Sequence, residues 1–343
     1  MPHIKRFSFK IICLILALSG ILATCKTAEI EVSPQPRIAP APVLSPASTE
    51  TSPQEAASVH IATPTLSNGS SVATTGLTVP YLDQEPPGME LKIFAPGIVS
   101  DPDFTEWSGA FSPDGSEYYF YRFSETLKSR IFYSKVVDGK WTVPEQLAIT
   151  AGYDAYQPYV TTDNHWLYFA WNHPIPPGQP DYRVPAHFVA ERTQDGWSEP
   201  RFAGQGMYLS STQDGQLYTT DMSSFTIDGK TYLAKVTVTA GLFTGYERLP
   251  IQTPLGDPAH PCIAPDESYI LFDVGDFEVV YLFVSFRKTD GTWGEPIELT
   301  QYGFPPMAEG AYISPDGKYL FFHLNGDIWW VDIGVIENLR PTE

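Results

Sequence analysis

An all-β fold of small sheets repeated radially about one axis, a β-propeller, is what the sequence predicts, and three observations predict it. An aspartate-centred turn recurs about every fifty residues, a matched pair of large side chains follows each turn, and an aromatic residue closes most repeats. A period near fifty is the mark of an array in which no unit buries its apolar faces alone.

The five turns are Ser112-Pro113-Asp114-Gly115, Thr161-Thr162-Asp163-Asn164, Thr212-Gln213-Asp214-Gly215, Ala264-Pro265-Asp266-Glu267 and Ser314-Pro315-Asp316-Gly317, with aspartates 49, 51, 52 and 50 residues apart. Proline presets φ, aspartate bonds backbone amides ahead of it, and Gly or Asn tolerates positive φ. A strand is predicted after each. Four residues beyond the aspartate stand Tyr118, Leu167, Tyr218, Ile270 and Leu320, and six beyond it Phe120, Phe169, Thr220, Phe272 and Phe322. Positions two apart share a sheet face, so each pair is placed between neighbouring sheets. The third repeat fits worst, with Thr220 in place of Phe.

A further apolar strand follows at residues 131–137, 186–190, 232–238, 281–286 and 328–331. After the first, second and fourth of these comes Trp-x-x-Pro: Trp141 with Pro144, Trp197 with Pro200, Trp293 with Pro296. The third repeat substitutes Phe243 and Tyr246. Each repeat thus supplies four strands, the content of one propeller blade. Five blades is the literal count, and six stays open should residues 81–105 or 172–185 hold further strands. The fifth repeat ends after Val331-Asp332 with no tryptophan strand, so residues 91–99 are predicted to complete it. That closure removes an open sheet edge.

Three segments precede and include the repeats. Residues 1–24 read as a leader: Lys5, Arg6 and Lys10 precede an apolar run over 11–23 that is too short to span a bilayer. Residues 25–80 read as a disordered linker rich in Pro, Ser and Thr, with no Phe, Tyr or Trp to build a core. Residues 81–343 carry 45 aromatics and form the predicted propeller domain.

The formal charge of −19 becomes −22 once the three cations of the leader are removed. Such a balance excludes nucleic acid, whose binding needs clustered Lys and Arg, and repels anionic lipid headgroups. Of three cysteines, Cys13 leaves with the leader and Cys262 sits in an apolar strand-like setting, so no intramolecular disulfide is expected.

The ending Leu22-Ala23-Thr24-Cys25 resembles the lipobox of bacterial lipoproteins, departing from it in Thr24. The resemblance implies lipidation of Cys25, membrane contact through that lipid only, and residence in the cell envelope. Lys26 after the cysteine favours the outer membrane if two membranes exist, and otherwise the outer face of the cytoplasmic membrane. The repeats, above all Phe111-Ser112-Pro113-Asp114-Gly115 and Ile313-Ser314-Pro315-Asp316-Gly317, resemble the Pro-Asp repeats of bacterial WD-repeat-like, TolB-like propellers. That resemblance covers residues 88–336 and implies a propeller and, often, protein–protein contacts. It implies no reaction. The Asp-box of sialidases, Ser-x-Asp-x-Gly-x-x-Trp, spaces its glycine differently from Gly115 and Gly317.

In such propellers the residues before each inner strand gather at the channel mouth. The equivalents are Glu106, Tyr156, His260 and Glu309, with Met207 in the weak repeat and Asp101, Asp103, Asp154 and Asp257 in adjoining loops. Glutamates beside a histidine have the chemistry to hold a divalent cation or a basic group, and equally to satisfy backbone amides between blades. His165, His173, His187 and His323 show no metal-type spacing and read as packing residues. The proline-rich stretch 172–177 reads as a contact loop. No phosphate loop, nucleophile elbow or Cys-x-x-Cys is present, and no cofactor is expected. Two functions follow: a non-catalytic module that binds an envelope protein or small ligand, or a secreted carbohydrate-active or other hydrolase working through channel-mouth carboxylates.

Overall fold

The computed structural model describes residues 81–177, 185–275 and 278–342. The leader, Cys25 and the linker lie outside the described residues. Five antiparallel sheets succeed one another along the chain, one per repeat. Their inner strands are Thr105–Phe111, Ala155–Val160, Met207–Ser211, Pro258–Ile263 and Glu309–Ile313. Among the described residues there is no sixth sheet: Trp166–Trp171 and Ala186–Thr193 pair directly in the second blade, and residues 81–105 contribute Lys92–Ile93 to the fifth.

Each turn is held by a relay that its composition explains. Ser112 donates its hydroxyl to Asp114 at 2.6 Å and accepts the Glu117 amide at 2.9 Å, while Asp114 accepts the Ser116 amide at 3.0 Å. Thr161 with Asp163, Thr212 with Asp214 and Ser314 with Asp316 repeat the hydroxyl-to-carboxylate bond. In the fourth turn Ala264 offers no hydroxyl, and Asp266 keeps only the amide of Ser268 at 3.0 Å. The residue after each aspartate has positive φ, including Glu267 at 61°.

The paired side chains behind the turns are all buried, from Tyr118 and Phe120 to Leu320 and Phe322. Thr220, the misfit of the third repeat, is fully buried too, and its hydroxyl accepts the His260 amide at 2.8 Å. The Trp-x-x-Pro repeats have a broken outer strand, as in Lys140–Trp141 followed by Glu145–Gln146, because proline lacks the amide a ladder needs. The third blade, without that proline, keeps an unbroken outer strand, Leu242–Arg248.

Closure follows the predicted route. Lys92 pairs with Trp330 and Ile93 with Trp329, so the start of the domain is the outer strand of its last blade. Trp330 is 1% exposed and packs on Phe94, Tyr319 and Phe321, with ring centroids 5.3, 5.1 and 5.7 Å away. Between the third and fourth blades, Glu267 accepts bonds from Lys235 at 2.7 Å, from Arg287 and from Tyr218. Burial alone would raise its carboxyl, but these three partners outweigh it and hold Glu267 down at about 2.

Trp330→Ala is expected to cost about 3–5 kcal/mol in urea unfolding, because it empties the seam that closes the ring. Glu267 is ionised in the folded chain well below the ordinary glutamate range, so its contribution is complete above that range and lost as pH falls towards 2. The Tm gap between the wild type and Glu267→Gln is therefore expected to be wider at pH 6 than at pH 3; a gap independent of pH would contradict the clamp.

Candidate functional site

Every inner strand carries a residue with positive φ six positions before its turn aspartate: Ser108, Gln157, Tyr208, His260 and Gly310, with φ of 50°, 55°, 60°, 50° and 62°. At each the ladder slips by a β-bulge. A bulge sharpens twist and re-aims side chains, and here it turns them onto the axis. Tyr208 reaches from the third blade to the fifth, its hydroxyl 2.9 Å from the Gly310 carbonyl and 2.7 Å from that of Ala311. Its amide donates to Gln157 Oε1 of the second blade at 3.0 Å. Trp107 of the first blade lies edge-on to Tyr208 at 5.8 Å and to His260 at 4.9 Å. These side chains fill the axis at the level of the bulges.

Beside this plug lies a polar cluster. His260 Nδ1 stands 2.9 Å from both Asp273 oxygens, and Asp273 also accepts the Gly310 amide at 2.9 Å. Glu309 Oε1 accepts from Trp107 Nε1 at 2.8 Å and from His323 Nδ1 at 3.2 Å. His323 Nε2 accepts the Gly326 amide at 3.1 Å, which leaves Nδ1 to face Glu309. Burial disfavours the charged form of His260, but the Asp273 carboxylate more than offsets this and raises it. Burial likewise raises Asp273 against the pull of His260, while the His323 and Trp107 bonds hold Glu309 below its ordinary value despite its burial.

Of the residues read from the sequence, His260 and Glu309 are brought together here. Glu106 is not: it is fully buried against Arg122 at 2.9 Å and takes the Asp101 amide at 3.3 Å. Burial pushes Glu106 up to about 8, although Arg122 opposes the shift. Tyr156 lies in the seam between the first and second blades, its hydroxyl 3.2 Å from Asn172. Met207 packs on Met222, and Asp154 pairs with Arg130 at 2.9 Å. The four candidates were not in register. Tyr156 and Glu309 stand seven places before their aspartates, but Glu106 stands eight before and His260 six. All four lie inside the inner strands rather than before them.

Sequence reasoning missed Asp273, whose only signal was its place in the strand paired with that of His260, and assigned His323 to packing alone. His187 does pack, and its burial pushes it down to about 3. His173 stacks on Trp171 at 4.4 Å.

At the other ends of the inner strands all five blades line a funnel of about 540 Å³. Phe111, Tyr159 and Tyr312 supply aromatic wall, Pro113, Pro265 and Pro315 the rim, and Ser211 and Thr162 hydroxyls. Asp316 is the one carboxylate of the lining, held by Tyr81 at 2.6 Å and Lys318 at 3.0 Å. Cys262 lies at the wall, its thiol pushed up to about 12 by burial, and is therefore protonated and unreactive.

No family profile matches this chain, and neither does any curated protein. Among solved structures it is similar to TolB from Acinetobacter baumannii, with 16% identity over 66% of this chain and 54% of that one and a TM-score of 0.39. It is also similar to a gluconolactonase from Xanthomonas campestris (13% identity, 77% and 98% of the two chains, TM-score 0.39) and to the periplasmic gluconolactonase of Pseudomonas aeruginosa (14%, 63% and 64%, 0.37). The chain spans about half the length of the Acinetobacter TolB. Likenesses this distant transfer no activity, partner or location. Among the described residues no helix is long and apolar enough to cross a membrane.

Gly310 is the one bulge position without a side chain, and a Cβ there would stand 2.9 Å from Trp107 Cη2 at a φ of +62°. Gly310→Ala is expected to cost about 1–3 kcal/mol in urea unfolding and to alter tryptophan fluorescence; an unchanged midpoint would mean that Trp107 is not held where the plug requires it.

Proposed function

We propose that this chain is an exported propeller, anchored by lipid on Cys25, that binds a protein or small ligand at the cell envelope through the funnel at the turn end of its axis. One observation carries the reading: the concave surface to which all five blades contribute combines aromatic wall, proline rim and hydroxyls with a single, already paired carboxylate. Concave, largely apolar sites with a few placed polar groups suit recognition. Glycoside hydrolysis needs two carboxyl groups facing one pocket, and the funnel lining offers only Asp316. Elsewhere Glu106 is committed to Arg122 and Asp154 to Arg130, and the neighbouring carboxylates Asp273 and Glu309 are buried and engaged by His260, the Gly310 amide, Trp107 and His323.

The predicted linker supports the same role. Fifty-odd residues of flexible chain have a root-mean-square span of roughly 40 Å, enough to hold a binding domain clear of a bilayer. Thr162 is exposed at the funnel rim, so Thr162→Trp fills the opening without touching the core. In capture from envelope extracts the wild-type chain is expected to retain a partner that Thr162→Trp loses, while Asp154→Asn, outside the funnel, retains it. Equal capture by all three chains would refute the funnel as the recognition surface, and glycosidase activity abolished by Glu309→Gln would refute the binding-module reading itself.

A further inference from the structure

We propose that His260, Asp273 and Glu309 form a site for one divalent transition-metal ion of the zinc or manganese type, beside the axial plug at the level of the bulges. One donor atom from each lies within 4.8 Å of the others, and the three come from three different strands of the fourth and fifth blades. An imidazole with two carboxylates is a ligand set for this class of ion, whereas calcium and magnesium prefer oxygen alone.

The distances are close to what an ion needs. Ligand bonds are about 2.0–2.2 Å, so His260 Nδ1 and Asp273, 2.9 Å apart, can already share one ion in place of the proton between them. The three donor atoms stand up to 4.8 Å apart, whereas ligand bonds this short set ligand atoms roughly 3–3.5 Å apart, so Glu309 must close in by about an ångström. Its Oε1 is already engaged by Trp107 and His323. Outer hydrogen bonds fix each carboxylate in this way: the Gly310 amide orients Asp273, and Trp107 with His323 orients Glu309. Such outer bonds commonly accompany metal ligands.

Charge points the same way. Two carboxylates are buried side by side, at 4% and 8% exposure, and their bonding partners are His260, the Gly310 amide, Trp107 and His323, with neither Lys nor Arg among them. His323 is itself held from its other side, where its Nε2 accepts the Gly326 amide. An uncompensated buried charge is costly, and a divalent cation removes that cost. The side chains of His260 and Glu309 remain 12% and 11% exposed, which leaves an entry path.

The test takes the full chain stripped of metal with a chelator and titrates it by calorimetry with Zn²⁺, Mn²⁺ and Ca²⁺. His260→Gln, Asp273→Asn and Glu309→Gln are run in parallel after circular dichroism confirms their fold. The wild type is expected to bind one Zn²⁺ or Mn²⁺ per chain and to gain in Tm. Each folded ligand variant should bind about a hundredfold more weakly, and His323→Gln about tenfold more weakly, as for loss of an outer hydrogen bond. Absence of saturable one-to-one binding by the folded wild type would overturn the proposal whatever the variants do. So would binding of Ca²⁺ alone, which needs no imidazole, or undiminished binding by folded His260→Gln.

Discussion

Five sheets that converge on one axis leave too little room there for an open channel and too much for contact between backbones, and the rest of the molecule is arranged around that gap. The solution is a left-handed residue at the same place in every inner strand, six positions before the turn aspartate. The resulting bulges increase the twist and direct side chains inward. Because the five bulge residues are Ser, Gln, Tyr, His and Gly, the ring they make is lopsided. Tyr208 crosses to the fifth blade at the one position where glycine leaves room, and Trp107 fills what remains.

That asymmetry divides the axis into two unlike ends. On the turn side the strand ends open into a funnel whose polar atoms are largely hydroxyls and backbone. On the bulge side the plug holds two carboxylates and two histidines in a nearly dry setting. Low polarity strengthens hydrogen bonds and raises the cost of any charge left unpaired. The cluster His260, Asp273, Glu309 and His323 is therefore the part of the propeller where a proton or an ion has most to change, whereas the funnel is suited to shape and apolar contact.

The periphery obeys simpler rules. Four of the turns are hydroxyl–carboxylate relays; in the fourth turn of the chain Ala264 replaces Ser or Thr, and there Glu267 takes up side-chain bonds from the third and fourth blades. Proline breaks three outer strands and so spoils edges on which another chain could pair. The third blade keeps its unbroken outer strand, Leu242–Arg248, and the edge of the fifth is covered by Lys92–Ile93. The ring is thus closed by non-local pairing between the two ends of the domain rather than by any local signal.

What the sequence determined by itself is the repeat: the aspartate turns, the paired large residues behind them, the missing fifth outer strand and its replacement from residues 91–99. These are legible because turn chemistry and two-residue alternation act over a few neighbouring positions. Only the tertiary structure decided which side chains meet. A bulge adds a residue and reverses the facing of all that precede it, and Ser108, Gln157, Tyr208 and His260 carry no common chemical mark to announce one. Counting back from the turns therefore grouped Glu106 with His260, although the bulge sends the first to Arg122 and the second to Asp273. Asp273 and His323 join the site from second strands, through cross-strand pairing that no spacing along the chain records.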